Sequence, residues 1–243
     1  MELKTSLNSF VPSNENYGFA KQLCVATIRY IAIFLSLLFF GIQFTFSQPS
    51  EPNTHFRADN LIELIKLDST IKLDIRYATP NNFMHRTMYT QARAFLQKPA
   101  AEALVRANRQ LHKRGYGLLI FDGYRPWSVT KQFWDETPKE KHGFVADPKK
   151  GSKHNRGCAV DCSLYDLASG KEIVMTSPYD DFTKKASPQY TGGTKEERHT
   201  RDLLRRVMEA EGFTVDKGEW WHFDYKDWRL YRILDVPFEK VNP

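Results

Sequence analysis

The chain has 243 residues, 41% of them hydrophobic and 14% aromatic, which suffices for one substantial core and is too little for two large domains. Its formal charge of +6, from 35 Lys and Arg against 29 Asp and Glu, is spread without a dense basic run or an aromatic-basic repeat, so no nucleic-acid partner is expected. No stable protein partner is expected either, and the diffuse charge keeps the protein soluble or attracts it weakly to an anionic envelope polymer.

The first 47 residues differ in composition from the rest. Ile31 to Phe46 run IAIFLSLLFFGIQFTF without a charge, after Lys21 and Arg29 and before Ser47. A basic flank, an apolar stretch and small residues at Thr45 and Ser47 have the form of a secretion signal, with Gln48 as the new N-terminus. The other reading is a retained membrane anchor, because the run is near the lower limit for spanning and its polar leader is long. Membrane contact is expected only in that second case. Both readings export the domain to the periplasm or cell envelope.

Residues 48–60 contain Pro, Asn and Ser and read as a linker, so the folded domain is expected over 61–243. Ile71 to Tyr77 alternates like a half-buried strand, followed by a loop from Ala78 to Tyr89 with Pro80, Asn81 and Asn82. Pro99 opens a helix with Ala103, Leu104, Ala107 and Leu111 on one face, and Gly115 stops it. A short strand at Leu118 to Phe121 and a helix from Ser128, as N-cap, through Trp134 come next. Lys139 to Asn155 is basic and poor in apolar residues, which predicts an exposed loop that delivers His154 to the rim of a site. Strand pattern resumes at Gly157 to Leu164, and Ser177 to Gly193 reads as a second loop. Thr194 to Glu211 is the clearest helix, with Leu203, Leu204, Val207 and Met208 on one side and Gly212 at its end. Glu219 to Tyr225 is the last strand. The mixed order predicts an α+β fold, a small, mainly antiparallel sheet with flanking helices.

Of three cysteines, Cys24 would leave with the signal. Cys158 and Cys162, if on one strand, stand roughly 13 Å apart at about 3.3 Å per residue, beyond disulfide reach. They are expected as packed, reduced thiols.

The stretch Ser152-Lys-His154-Asn-Arg-Gly157-Cys-Ala-Val-Asp161 carries the strongest chemical signal. It sets a His and an Asp across a glycine at the entry to a strand. A turn near Arg156-Gly157 is needed to make them converge, and glycine supplies that freedom. Zinc accepts imidazole nitrogen and carboxylate oxygen, and a catalytic site uses three protein ligands and leaves one position for water. His222, in Glu219-Trp-Trp-His222, completes a two-histidine, one-carboxylate set. Glu219 beside it is placed to take a proton from the activated water and hand it to a leaving amine. His55, His85, His112, His142 and His199 have no such setting. Arg125, in Phe121-Asp-Gly-Tyr-Arg125-Pro126, either stabilises an oxyanion on the scissile carbonyl or pairs with Asp122 to hold its turn. Trp220 and Trp221 read as core and pocket wall.

With these residues in view, the chain resembles the zinc D-alanyl-D-alanine dipeptidases related to the vancomycin-resistance dipeptidase. The likeness runs from about Leu61 to the end, through LDIRYATPNNF at Leu73 to Phe83, FDGYRP at Phe121 to Pro126, SKHNRGCAVD at Ser152 to Asp161, MTSPYDDF at Met175 to Phe182 and EWWHF at Glu219 to Phe223. It implies a small α+β domain that hydrolyses the dipeptide D-Ala-D-Ala, with one zinc ion per chain on His154, Asp161 and His222, Glu219 as base and Arg125 on the carbonyl. The resemblance further implies that Asp180, or its neighbour Asp181, and the backbone of Tyr77 receive the substrate ammonium, and that Ser152 helps to bind its carboxylate. A site that pairs both ends of a dipeptide rejects longer chains by leaving buried groups unpaired.

Three rival readings are separable. A zinc D,D-carboxypeptidase trimming peptidoglycan stem peptides would share the metal set and leave the amine end open. A wall-binding module would keep the fold without the chemistry. A structural zinc protein would need a fourth ligand, for which Cys158 is the nearby candidate.

Overall fold

The computed structural model describes residues 48–51 and 55–241; the expected signal lies outside them. Among the described residues two sheets form the frame. Strand β1 (Leu61–Glu63) leads into a one-turn helix α1 (Leu64–Leu67) and pairs antiparallel with β3 (Phe95–Gln97). The main sheet has the order β2-β4-β5-β7-β6, from β2 (Lys72–Leu73), β4 (Tyr116–Asp122), β5 (Ala159–Asp166), β6 (Phe213–Val215) and β7 (His222–Tyr225). Only β2 runs parallel to its neighbour; the other pairs are antiparallel. The mixed, mainly antiparallel sheet matches the expected fold class.

Helix α2 (Lys98–His112) packs on β4 and on helix α4 (Lys195–Ala210). Its Ala100, Ala103, Leu104, Ala107 and Leu111 are fully buried, the stripe that helical spacing requires. Asn108, also buried, accepts from the Leu118 amide at 2.9 Å and donates to Thr70 Oγ1 at 2.9 Å, so the helix is tied to the two segments beside it. Helix α4 starts in a capping box, with Thr194 and Glu197 exchanging side-chain and backbone hydrogen bonds at 2.8 and 3.1 Å. It stops before Gly212, whose φ of +89° few other residues adopt.

Several local expectations change. Extended pairing covers only Lys72–Leu73 of the run from Ile71 to Tyr77, because the chain turns into a 3-10 segment at Arg76–Ala78. Helix α3 (Trp127–Glu136) begins one residue before Ser128, and Pro126 takes the N-cap position. The open amide of Ser128 bonds instead to Asp235 Oδ1 at 2.9 Å, a cap supplied from a distant part of the chain. The basic loop is not exposed throughout: it contains a 3-10 segment at Lys139–Phe144, and Ser152, His154 and Asn155 are buried at its end. Asn155 explains the change, since its amide donates to the Arg125 carbonyl and Thr130 Oγ1 and accepts from the Ser152 amide. The described part of the expected linker is also anchored: Arg57 N–H donates to the Leu230 carbonyl at 2.8 Å and Glu51 Oε2 accepts from Ile233 N–H at 2.9 Å. Cys158 and Cys162 are free, buried thiols.

Candidate metal centre and substrate cleft

Register places the first pair of site residues. On β5 and β7, Asp161 and His222 are direct cross-strand partners, so both side chains leave the same face of the sheet. A register shift on β4 between Ile120 and Asp122 also brings Asp122 opposite Asp161. His154 arrives from the 3-10 turn His154–Arg156, which Gly157 closes in the left-handed region at φ 64°, ψ 28°. This is the turn that the convergence of His154 and Asp161 requires. A Cβ at Gly157 would stand 3.3 Å from the Gln97 backbone nitrogen and 2.5 Å from Leu61 Cδ2, so both backbone angle and space favour glycine.

The nitrogens facing the centre follow from the bonds made by the others. His154 Nδ1 lies 2.7 Å from the Gly123 carbonyl, which can only accept, so Nδ1 carries the proton and Nε2 presents a lone pair. His222 Nε2 lies 2.9 Å from Asp224 Oδ1, which likewise turns the Nδ1 lone pair inward. The two inward nitrogens are 3.1 Å apart, and Asp161 Oδ1 lies 3.4 and 3.0 Å from them. Tetrahedral bonds of about 2.0–2.1 Å place neighbouring ligand atoms about 3.3 Å apart, so this triangle has the dimensions of a zinc face. Asp161 Oδ1 is buried and accepts no well-directed hydrogen bond, while Oδ2 accepts from Tyr179 at 2.9 Å. Two imidazole nitrogens facing one orphaned carboxylate oxygen make a donor set that suits a bound cation. Among the described residues these three form a group that could hold a metal ion, and Cys158 is not part of it.

A cleft of about 290 Å³ opens over this triangle. Glu219 lines it, with Oε2 4.0 Å from His222 Nδ1. It does not belong to the last strand, which begins only at His222; a turn closed by His222 N–H to the Glu219 carbonyl carries it. Burial pushes its pKa up to about 7, against the pull of His222. Arg125 is buried along another wall and pairs with Asp122, the second of the two sequence readings. Its Nε and Nη2 donate to Asp122 Oδ2 at 3.0 and 2.7 Å, which leaves Nη1, and the residue also lines the cleft.

Asp180 lines the cleft in an unusual backbone state for an aspartate, φ 59°. Its carboxylate accepts from the Tyr77 hydroxyl at 3.2 and 3.3 Å, and burial, then Asp161 and Glu219, push its pKa up to about 8. Asp181 instead accepts from the Thr183 amide at 2.9 Å, which separates the two neighbours. The Tyr77 carbonyl already accepts from the Met88 and Tyr89 amides at 2.8 and 2.9 Å, so its backbone has no acceptor to spare and the residue contributes its phenol. Ser152 is buried on the cleft wall; its Oγ accepts from His154 N–H at 3.2 Å and keeps its own proton to donate. Tyr89 stands behind the cleft and donates to Asp122 Oδ1 at 2.8 Å, holding the acid that holds Arg125.

Sequence reasoning passed over Asp224, Tyr179 and Lys153. Asp224 had a readable signal, since i and i+2 share one face of a strand and place it beside His222. Tyr179 and Lys153 had none, because loops fix both.

A strand-borne His-Asp pair, a histidine from a glycine-closed turn and a carboxylate over a polar cleft define a zinc metallohydrolase on an α+β frame. A family model described as D-ala-D-ala dipeptidase matches residues 57–240, and the chain belongs to that peptidase family. It is 29% identical to a D-alanyl-D-alanine dipeptidase of Escherichia coli (strain K12) over 73% of this chain and 91% of that one. The D-alanyl-D-alanine dipeptidases of Enterococcus faecalis (strain ATCC 700802 / V583) and Enterococcus faecium are each 32% identical to it, over 69% and 65% of this chain and 88% and 87% of theirs.

Proposed function

We propose that the protein hydrolyses the free dipeptide D-Ala-D-Ala to two D-alanines, with one zinc ion held by His154, Asp161 and His222. The observation that carries this reading is the triangle of two imidazole lone pairs and the orphaned Asp161 Oδ1, with Glu219 on the cleft beside it. When bound, zinc acidifies water and polarises the scissile carbonyl. Glu219 accepts a proton as water oxygen bonds to the carbonyl carbon, and returns it to the leaving nitrogen as the C–N bond breaks. Arg125 Nη1 donates to the developing oxyanion, while Asp122 and Tyr89 fix the guanidinium from behind. Asp180, steadied by the Tyr77 phenol, receives the substrate ammonium. The Ser152 hydroxyl donates to the carboxylate at the other end.

The test is amine release by the zinc-loaded protein from D-Ala-D-Ala and from its N-acylated form. Turnover of the free dipeptide alone supports the dipeptidase; cleavage of the acylated peptide moves the protein to the D,D-carboxypeptidases, and binding of either without cleavage makes it a recognition module.

We also propose that the domain works outside the cytoplasm, on dipeptide released from the wall. The apolar run Ile31 to Phe46 and the small residues at Thr45 and Ser47 support this. N-terminal sequencing of the protein from fractionated cells is expected to read from Gln48 in the envelope fraction, and an intact leader on active cytoplasmic protein overturns it.

A further inference from the structure

The zinc-centre reading leaves one ion pair without a task. Lys153 Nζ lies 3.0 Å from Asp224 Oδ2, and the other oxygen of Asp224 lies 2.9 Å from His222 Nε2. The pair is partly open to solvent, with side-chain exposures of 36% and 17%, so it adds little to fold stability. Its connections are more telling. Lys153 precedes His154 in the chain, and its carbonyl accepts from the Arg156 and Cys158 amides at 3.1 Å each. The first bond closes the turn that carries His154; the second sets the entry to β5, and therefore to Asp161. The ammonium also sits 5.7 Å from the centre of the Trp228 ring, a second contact that confines it. One residue thus touches the supports of all three ligand side chains.

We propose that Lys153 and Asp224 are positioning residues of the metal centre: Asp224 fixes the tautomer and ring angle of His222, and Lys153 locks Asp224 to the His154 turn. The proposal rests on the zinc reading of the cluster. An imidazole free to rotate or to move its proton to Nδ1 offers no lone pair to the centre. A carboxylate on Nε2–H removes that freedom, and its charge makes the ring a stronger donor. Asp224 alone could swing, since only β7 carries it; the lysine ties it to a second segment.

The experiment is zinc affinity, measured by competition with a chromophoric chelator, alongside the thermal midpoint of the metal-free protein. Asp224→Ala is expected to weaken zinc by about 10–100-fold with the metal-free midpoint little changed. Asp224→Asn keeps an acceptor for Nε2–H and should fall between the two. Lys153→Met should weaken zinc by a smaller factor, Lys153→Arg should restore it, and Lys153→Met should add nothing to Asp224→Ala because the lysine acts through the aspartate. Should Asp224→Ala fail to fold, the two lysine variants decide. Zinc affinity unchanged within about twofold in these variants, or loss of the metal-free midpoint with affinity intact, overturns the proposal. A wild-type protein that binds no zinc overturns the reading beneath it as well.

Discussion

The two halves of the cleft are built by different means. Asp161 and His222 sit on neighbouring strands in fixed register, against a floor in which Trp221 is 1% exposed and Phe223 fully buried. Glu219, Asp180, Arg125 and Ser152 come from turns and loops, each held by a few directed hydrogen bonds, as with Tyr77 on Asp180 or Asp122 on Arg125. Sheet register locates a metal because a strand cannot slip without turning every side chain to the other face. Loops suit the half proposed to read substrate, where reach and angle matter more than periodicity. The division means that damage to the loop half should show as lost turnover with metal retained, and damage to the strand half as weakened metal binding, joined by lost stability where a core side chain is removed.

The largest effect expected in the loop half comes from Glu219→Gln. Loss of the proton acceptor should lower kcat by about 10²–10⁴-fold, with zinc content, read by metal analysis, unchanged. Loss of zinc as well would mean that the two halves are not separable. On the strand side, Trp221→Ala removes a ring that stacks edge-on against Tyr179, with centroids 5.4 Å apart, and Tyr179 in turn holds Asp161. It should destabilise the domain by about 3–5 kcal/mol, read by denaturant unfolding, and lower zinc affinity with it. A smaller effect is expected from Asp180→Asn. A hydrogen bond to a charged group contributes about 1.5–3 kcal/mol, so kcat/KM for the free dipeptide should fall by roughly 10–100-fold, with little change in thermal midpoint. An unchanged KM would remove Asp180 from the ammonium site.

The same division governs what could be read from sequence. The candidate ligand group was legible because zinc chemistry demands those residue types and because Gly157 marks the turn that lets His154 and Asp161 converge. The long helices were legible from period and punctuation, Pro99 and Gly115 for one, Thr194 and Gly212 for the other. The short strands β1, β3 and β6, three residues each, were not, since three residues carry no period. Loop-borne contacts were hidden for a related reason. Nothing local to Asp235 announces that it caps a helix 107 positions earlier, and nothing in Tyr77 shows that its carbonyl is taken by Met88 and Tyr89 while its phenol is turned to Asp180.

The joint between the halves is Gly157, and it carries the smallest and sharpest of these expectations. It ends the turn of His154 and begins the approach to β5, and its own carbonyl accepts from Gln97 N–H at 2.8 Å, which fixes it against β3. An alanine there would have to hold a left-handed conformation, at about 1–3 kcal/mol for a residue other than glycine, and seat a methyl against Leu61 and the Gln97 backbone. Leu61 can move aside; the Gln97 amide cannot do so without breaking its bond. The turn should therefore yield first, carrying His154 away from a strand pair that stays in place. Gly157→Ala is expected to lower stability by about 1–3 kcal/mol and to weaken zinc more than that loss alone explains. An alanine variant with reduced stability but native zinc affinity would mean that His154 is held by its bond to the Gly123 carbonyl and not by the turn.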